Sequence, residues 1–107
     1  MSLRGTKSHA RKLESAELLK RLAELPLRYT FHALERLAER KILETSVTQM
    51  LRGKAGRRVH VAAKDRMEAG SWKYRIHGRD VDGEMMGAIV AVEEEVIVIT
   101  AFFVGEE

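Results

Sequence analysis

The chain contains no cysteine, so disulfides and thiolate metal sites are excluded, and nothing in its composition asks for an oxidising compartment. It has a single proline, Pro26, and its 8 glycines are dispersed in the way of turn residues. None of them builds a phosphate-cradling loop, a nucleophile elbow or a dinucleotide fingerprint. The 4 histidines have no carboxylate at ligand spacing, so neither a metal centre nor any other cofactor is expected. Long apolar runs are also missing. A membrane helix needs about 20 residues, whereas the longest apolar stretch here, around Val96 to Val104, is strand-sized. The first residues are polar and basic with no apolar segment behind them, unlike a secretory signal, and the cytoplasm is the expected location.

What is present is a globular composition, 45% hydrophobic and 33% charged over 107 residues, the size of one domain with a modest core. Residues 1–9 read as a frayed start, 10–28 as a leading helix and 29–103 as an α+β core. Leu18, Leu22 and Leu25 recur at helical spacing until Pro26 stops the pattern. Thr30 is placed to cap a second helix, on which Phe31, Leu34, Ala38 and Ile42 form the apolar stripe. Thr45 or Ser46 would cap a short third helix carrying Val47, Met50 and Leu51, ended by Gly53.

Beyond Gly53 the period changes to two. Arg58 to Ala63 reads as a weak strand, and Ser71 to His77 alternates Trp72, Tyr74 and Ile76 with Lys73, Arg75 and His77. Asp82-Gly83 signals a hairpin turn, and Met85 to Val92 and Glu95 to Phe103 are two further strands. The last is apolar on both faces, as expected of a central strand covered by helices on one side. Helices first and strands later predict an α+β fold, with N-terminal helices packed on one face of a twisted antiparallel sheet of about four strands.

The net charge of +3 hides an uneven distribution. Nine Lys and Arg fall between positions 52 and 79 against Asp65 and Glu68, while the last fifteen residues hold five Glu and neither Lys nor Arg. A basic middle suits a polyanion, with Arg52, Lys54, Arg57, Arg58, Lys73, His77 and Arg79 as candidate nucleic-acid contacts. The competing reading is that basic and acidic strands simply pair across the sheet.

His32, Arg36 and Arg40, four residues apart, stack along one side of the second helix. A titrating imidazole beside two permanent cations is a set that phosphodiester cleavage uses, one as proton shuttle and the others where charge develops. The plainer reading is the charged outer face of an amphipathic helix, with Glu35 and Glu39 as partners of the arginines. His60 and His77, on strands beside cations, are further acid–base candidates. Trp72 and Tyr74 offer stacking surfaces for bases, against the simpler expectation that they share the core face of Ile76.

The run from Phe31 to Ile42 resembles the opening motif of a small bacterial family of unknown function, the one numbered 4258. That motif has a His, an Arg four residues on, another Arg four further, then Gly-Ile. Trp72 to Gly83 is similar to the family's middle strand and turn, and Ala88 to Val92 with Val96 to Thr100 to its closing hairpin. The resemblance covers roughly residues 29–103, with Lys41 standing where the family usually carries glycine. The family is similar in fold to the RelE-like and colicin-type ribonuclease toxins. That similarity implies metal-free cleavage of RNA by the ribose 2′-hydroxyl, ribosome-bound mRNA among the substrates, and a cognate antitoxin as partner. On the same resemblance His32 would be the acid or base, Arg36 and Arg40 would hold phosphate, and Tyr74, Arg75 and Thr100 would complete the site. The alternative is a non-enzymatic interaction module. There the run Val96 to Ile99, lying at a sheet edge, would pair with a partner protein or with a second copy as a homodimer.

Overall fold

A computed structural model describes residues 12–53, 59–68, 71–80 and 82–106, with residues 64–68 by their backbone alone. The elements run α1 (Ser15–Glu24), β1 (Leu27–Tyr29), α2 (Phe31–Arg40), α3 (Glu44–Arg52), β2 (Val59–Glu68), β3 (Ser71–Arg79), β4 (Met85–Val92) and β5 (Val96–Phe103). The strands form one sheet in the order β1-β5-β4-β3-β2. Every neighbouring pair is antiparallel except β1 and β5, which are parallel. The α+β expectation holds, but among the described residues the sheet has five strands where about four were expected, and it is mixed where it was expected to be antiparallel. The extra strand is β1. Three residues are too few to show a period, and Leu27 to Tyr29 become a strand only because Val96 to Val98 lie alongside.

The three helices among the described residues all pack on one face. Leu18 and Leu22 of α1, Ala33 and Leu37 of α2, and Val47, Met50 and Leu51 of α3 meet Tyr74, Ile76, Met86, Ala88, Val90, Val96, Val98 and Ala101 in one buried cluster. Arg52, in the last turn of α3, donates to the carbonyls of Leu22 and Leu25 at 3.0 and 2.6 Å. It thus satisfies carbonyls that the end of α1 leaves without helical partners. No helix of the described residues is long and apolar enough to cross a membrane.

Helix α2 starts where Thr30 predicted, its hydroxyl accepting from Ala33 N at 2.9 Å. Its orientation differs from the expected one. Of the stripe Phe31, Leu34, Ala38 and Ile42, only Ile42 is buried, and it lies beyond the helix; Phe31 is 77% exposed. The inward residues are Ala33 and Leu37. A small residue at Ala33 lets α2 lie close against β5, and a Phe stripe would hold it off. At about 100° per residue, Arg40 then lies only ~40° from the centre of the buried side, Arg36 ~80° and His32 ~120°. The three are not equivalent, as equal spacing suggested.

Lys41, after α2, has positive φ (59°), a left-handed helix cap whose N–H bonds Ala38 O and Leu37 O. This is where glycine was expected, and a side chain there costs about 1 kcal/mol or more. Helix α3 begins at Glu44, earlier than Thr45 or Ser46 suggested, and ends as expected on a left-handed Gly53, φ 66°. In the β3–β4 turn the buried Asp80 carboxylate accepts from Asp82 N and Glu84 N, each at 2.9 Å. The acidic β4–β5 turn is tied to the sheet by Arg28–Glu95 (2.6 Å) and Ser71–Glu93 (2.9 Å).

One irregularity decides which residues reach the other face. In β5, Val98 faces Val90 across the ladder and Thr100 faces Ile89, leaving Ile99 as an extra residue. A bulge of this kind resets the alternation. Val96 and Val98 are buried under the helices, and after the bulge it is Ala101 that is buried among them. Thr100 and Phe102 therefore point away from the helices.

Candidate functional site

No helix of the described residues packs on that second face, and β3 lines it with Lys73, Arg75, His77 and Arg79. Cross-strand pairing arranges the face in rows. One runs His60–His77–Gly87–Phe102, and the next Ala63–Arg75–Ile89–Thr100. Arg75 Nε donates to His77 Nε2 at 3.1 Å, and the guanidinium carbon sits 4.5 Å from the centre of the Phe102 ring. An imidazole that accepts at Nε2 carries its proton on Nδ1, so this geometry selects the neutral Nδ1–H tautomer. The His77 ring meets His60 edge-on at 5.6 Å and Phe102 at 6.3 Å.

Arg40 joins this face from the side. Strand β1 covers the outer edge of β5 only as far as Thr30 N to Val98 O (3.1 Å). Beyond it, Arg40 Nη1 donates to Ala101 O at 2.6 Å and reaches Thr100 Oγ1 at 3.4 Å. A guanidinium on a hydroxyl, one row from an arginine-bound imidazole, makes a cationic, hydrogen-bonding surface with a group able to move a proton. Among the described residues no three His, Asp or Glu side chains converge as metal ligands would.

Of the residues expected in a site, Arg40 meets Thr100, and Arg75 lies on the same face two strand spacings from Thr100, paired with His77. His32 stands exposed on the first turn of α2, ~12 Å along the helix axis from Arg40. Arg36 pairs with Glu39 at 2.7 Å, as a charged helix surface does. Tyr74 is not on this face. It is 2% exposed under the helices, and its hydroxyl accepts from Leu13 N at 3.0 Å. Strand alternation requires this, because Arg75 next to it points the other way.

Among the expected nucleic-acid contacts, Lys73 and His77 lie on the open face. Arg79 bonds Gly83 O in the turn at 2.8 Å, and Arg52 is spent on capping α1. Lys54, Arg57 and Arg58 lie outside the described residues. The sequence reading missed Phe102 and Gly87. Counting by two from Val96 puts Phe102 in the core, and only the bulge moves it out.

Outside the open face, Tyr29 is the titrating group whose surroundings act on it most clearly. Burial, with a smaller push from Glu44, raises its pKa above the ordinary tyrosine value, against the Thr48 hydrogen bond and Arg52, which lower it. Its hydroxyl donates to Glu44 O at 3.1 Å and shares a 2.7 Å hydrogen bond with Thr48.

No curated protein and no solved structure matches the chain. Residues 29–103, from the end of β1 through β5, match one family model, described as a domain of unknown function (DUF4258), which takes in the Arg40, Arg75, His77 and Thr100 surface. The chain belongs to that family.

Proposed function

We propose that the chain binds RNA on its open sheet face and cleaves it without a metal. The 2′-hydroxyl attacks the adjacent phosphorus, the 5′-oxygen leaves, and a 2′,3′-cyclic phosphate remains. What supports this is one juxtaposition: Arg40 on Thr100 and Arg75 on His77 share a face that no described helix covers. In this reading Arg40 and Thr100 hold a phosphate of the strand. His77 takes the 2′-hydroxyl proton at Nε2, the lone pair that Arg75 Nε releases as it turns to the substrate phosphate, and returns that proton to the leaving 5′-oxygen. His77 replaces His32 in that role because it lies on the same face as both arginine head groups. The chemistry is drawn from the resemblance in fold to RelE-like and colicin-type ribonuclease toxins. A cognate antitoxin and ribosome-bound mRNA belong to the same proposal, and fold alone does not carry them.

The test is to incubate the protein with total RNA and with ribosome-programmed mRNA, EDTA present, beside His77→Ala and His32→Ala. The expected outcome is cleavage to cyclic phosphate ends by wild type and His32→Ala but not by His77→Ala. Loss in His32→Ala alone would move the chemistry to the exposed end of α2. Binding should weaken steeply with salt, since phosphate contacts release counterions.

A second reading, a non-enzymatic interaction module, is favoured by the outward stripe of Phe31, Leu34 and Ala38. The Val96–Ile99 edge originally expected for it does not exist, because β5 lies inside the sheet, between β1 and β4. Absence of cleavage in both formats, with association that Phe31→Glu abolishes, would select this reading.

A further inference from the structure

Gly87 lies between His77 and Phe102 in its row. The need for glycine there is spatial. A Cβ would fall 2.5 and 2.8 Å from Phe102 Cε1 and Cζ and 2.9 Å from His77 Cδ2. The bare backbone therefore lets the Phe102 ring lie across β4, close to His77. Phe102 is 4% exposed although no described helix covers it, and the Arg75 guanidinium lies over its ring. Arg75 is thus fixed twice, by an aromatic ring against its head group and by the imidazole that accepts from its Nε. A long, flexible side chain held in this way has already lost most of its rotamer freedom.

We propose that the Gly87–Phe102–Arg75 stack is a platform for an unpaired nucleobase, so that the substrate class of the site is single-stranded RNA; this rests on the RNA-binding reading above. A guanidinium is planar and weakly hydrated, and it stacks on bases as aromatic side chains do. Arg75 is half-buried, on the sheet face that no described helix covers. Its row ends at Thr100, two strand spacings or ~10 Å away, where Arg40 stands ready for a phosphate of the same strand. Paired bases have both faces inside the duplex stack and cannot use such a platform. A base-free polyanion gains only charge from it.

The measurement uses a short 2′-O-methyl strand carrying 2-aminopurine. It cannot be cleaved, so binding is read apart from catalysis. Its Kd is compared with that of the same strand in a duplex and of inorganic polyphosphate, for wild type, Arg75→Lys and Gly87→Ala. Wild type should bind the single strand about tenfold or more tightly than the duplex and change the 2-aminopurine emission on binding. Arg75→Lys keeps the charge and loses the plane. It should weaken the single strand about tenfold and abolish the emission change, while polyphosphate binding stays within about twofold. Gly87→Ala should do the same by displacing Phe102; should it fail to fold, Arg75→Lys decides alone. An unchanged emission response in Arg75→Lys overturns the platform. Equal binding of single strand, duplex and polyphosphate by wild type overturns it too, and leaves RNA binding standing. No binding to any of the three overturns both.

Discussion

The two faces of β3 differ in what each asks of its residues. Under the helices, Tyr74 and Ile76 are sealed, with Trp72 packed at the margin. On the open face, Lys73, Arg75, His77 and Arg79 stand one residue out of phase. Burial tolerates few substitutions on the covered face, because a hole left by a removed side chain is only partly refilled. The open face is held by a few specific contacts: an arginine on a ring, an imidazole on an arginine, a glycine beneath. Stability therefore resides on one side and the candidate chemistry on the other, a few ångströms apart along one strand.

His77→Gln sets the faces furthest apart. Cleavage by a general base should fall by about 10²–10⁴ while the urea midpoint hardly moves; a large loss of stability would show that His77 is structural. Tyr74→Ala tests the converse. It should cost about 3–5 kcal/mol, a large part of the stability of a small domain, where Arg75→Ala costs about 1 kcal/mol or less. Equal urea midpoints for these two variants would dissolve the distinction.

Arg40 belongs to both sides, since it satisfies Ala101 O at the β5 edge and approaches Thr100 on the open face. Arg40→Ala should lower stability by about 1–3 kcal/mol and weaken RNA binding as well, whereas a loss confined to one readout would assign it to one role. Tyr29 sharpens the covered side by pH. Its neutral form is favoured in the fold, so its contribution is intact below the ordinary tyrosine pKa of about 10 and is lost as pH rises above that value, where the unfolded chain ionises first. Tyr29→Phe should remove that alkaline loss of stability, read in thermal melts taken from about pH 8 to about pH 11. The smallest effect lies outside both faces. Lys41→Gly relieves the left-handed cap and should stabilise the chain by about 0.5–1 kcal/mol, read as a higher melting temperature.

Much of the fold was legible because local rules agree with the tertiary result. Leu18 and Leu22 recur at helical spacing, Thr30 caps α2, Gly53 ends α3, and β3 alternates cleanly. The parts that were not legible share a cause. β1 exists by virtue of a partner distant in the chain. The rotation of α2 was set by how closely Ala33 lets it approach β5, which outweighed the more hydrophobic Phe31 stripe. At the candidate site, the sequence supplied Arg40, Arg75 and Thr100 through a resemblance and His77 through its cationic neighbours, without showing that they share a face.

By itself, the sequence determined the class of this protein: an α+β domain without cysteine, with a basic central segment and helices ahead of strands. Periodicity and capping are local, and hydrophobic burial enforces them wherever the chain folds. Tertiary structure alone decided which face each residue of β5 serves. One extra residue at Ile99 turned Thr100 and Phe102 away from the helices, because side-chain direction in a strand is a parity that any inserted residue reverses.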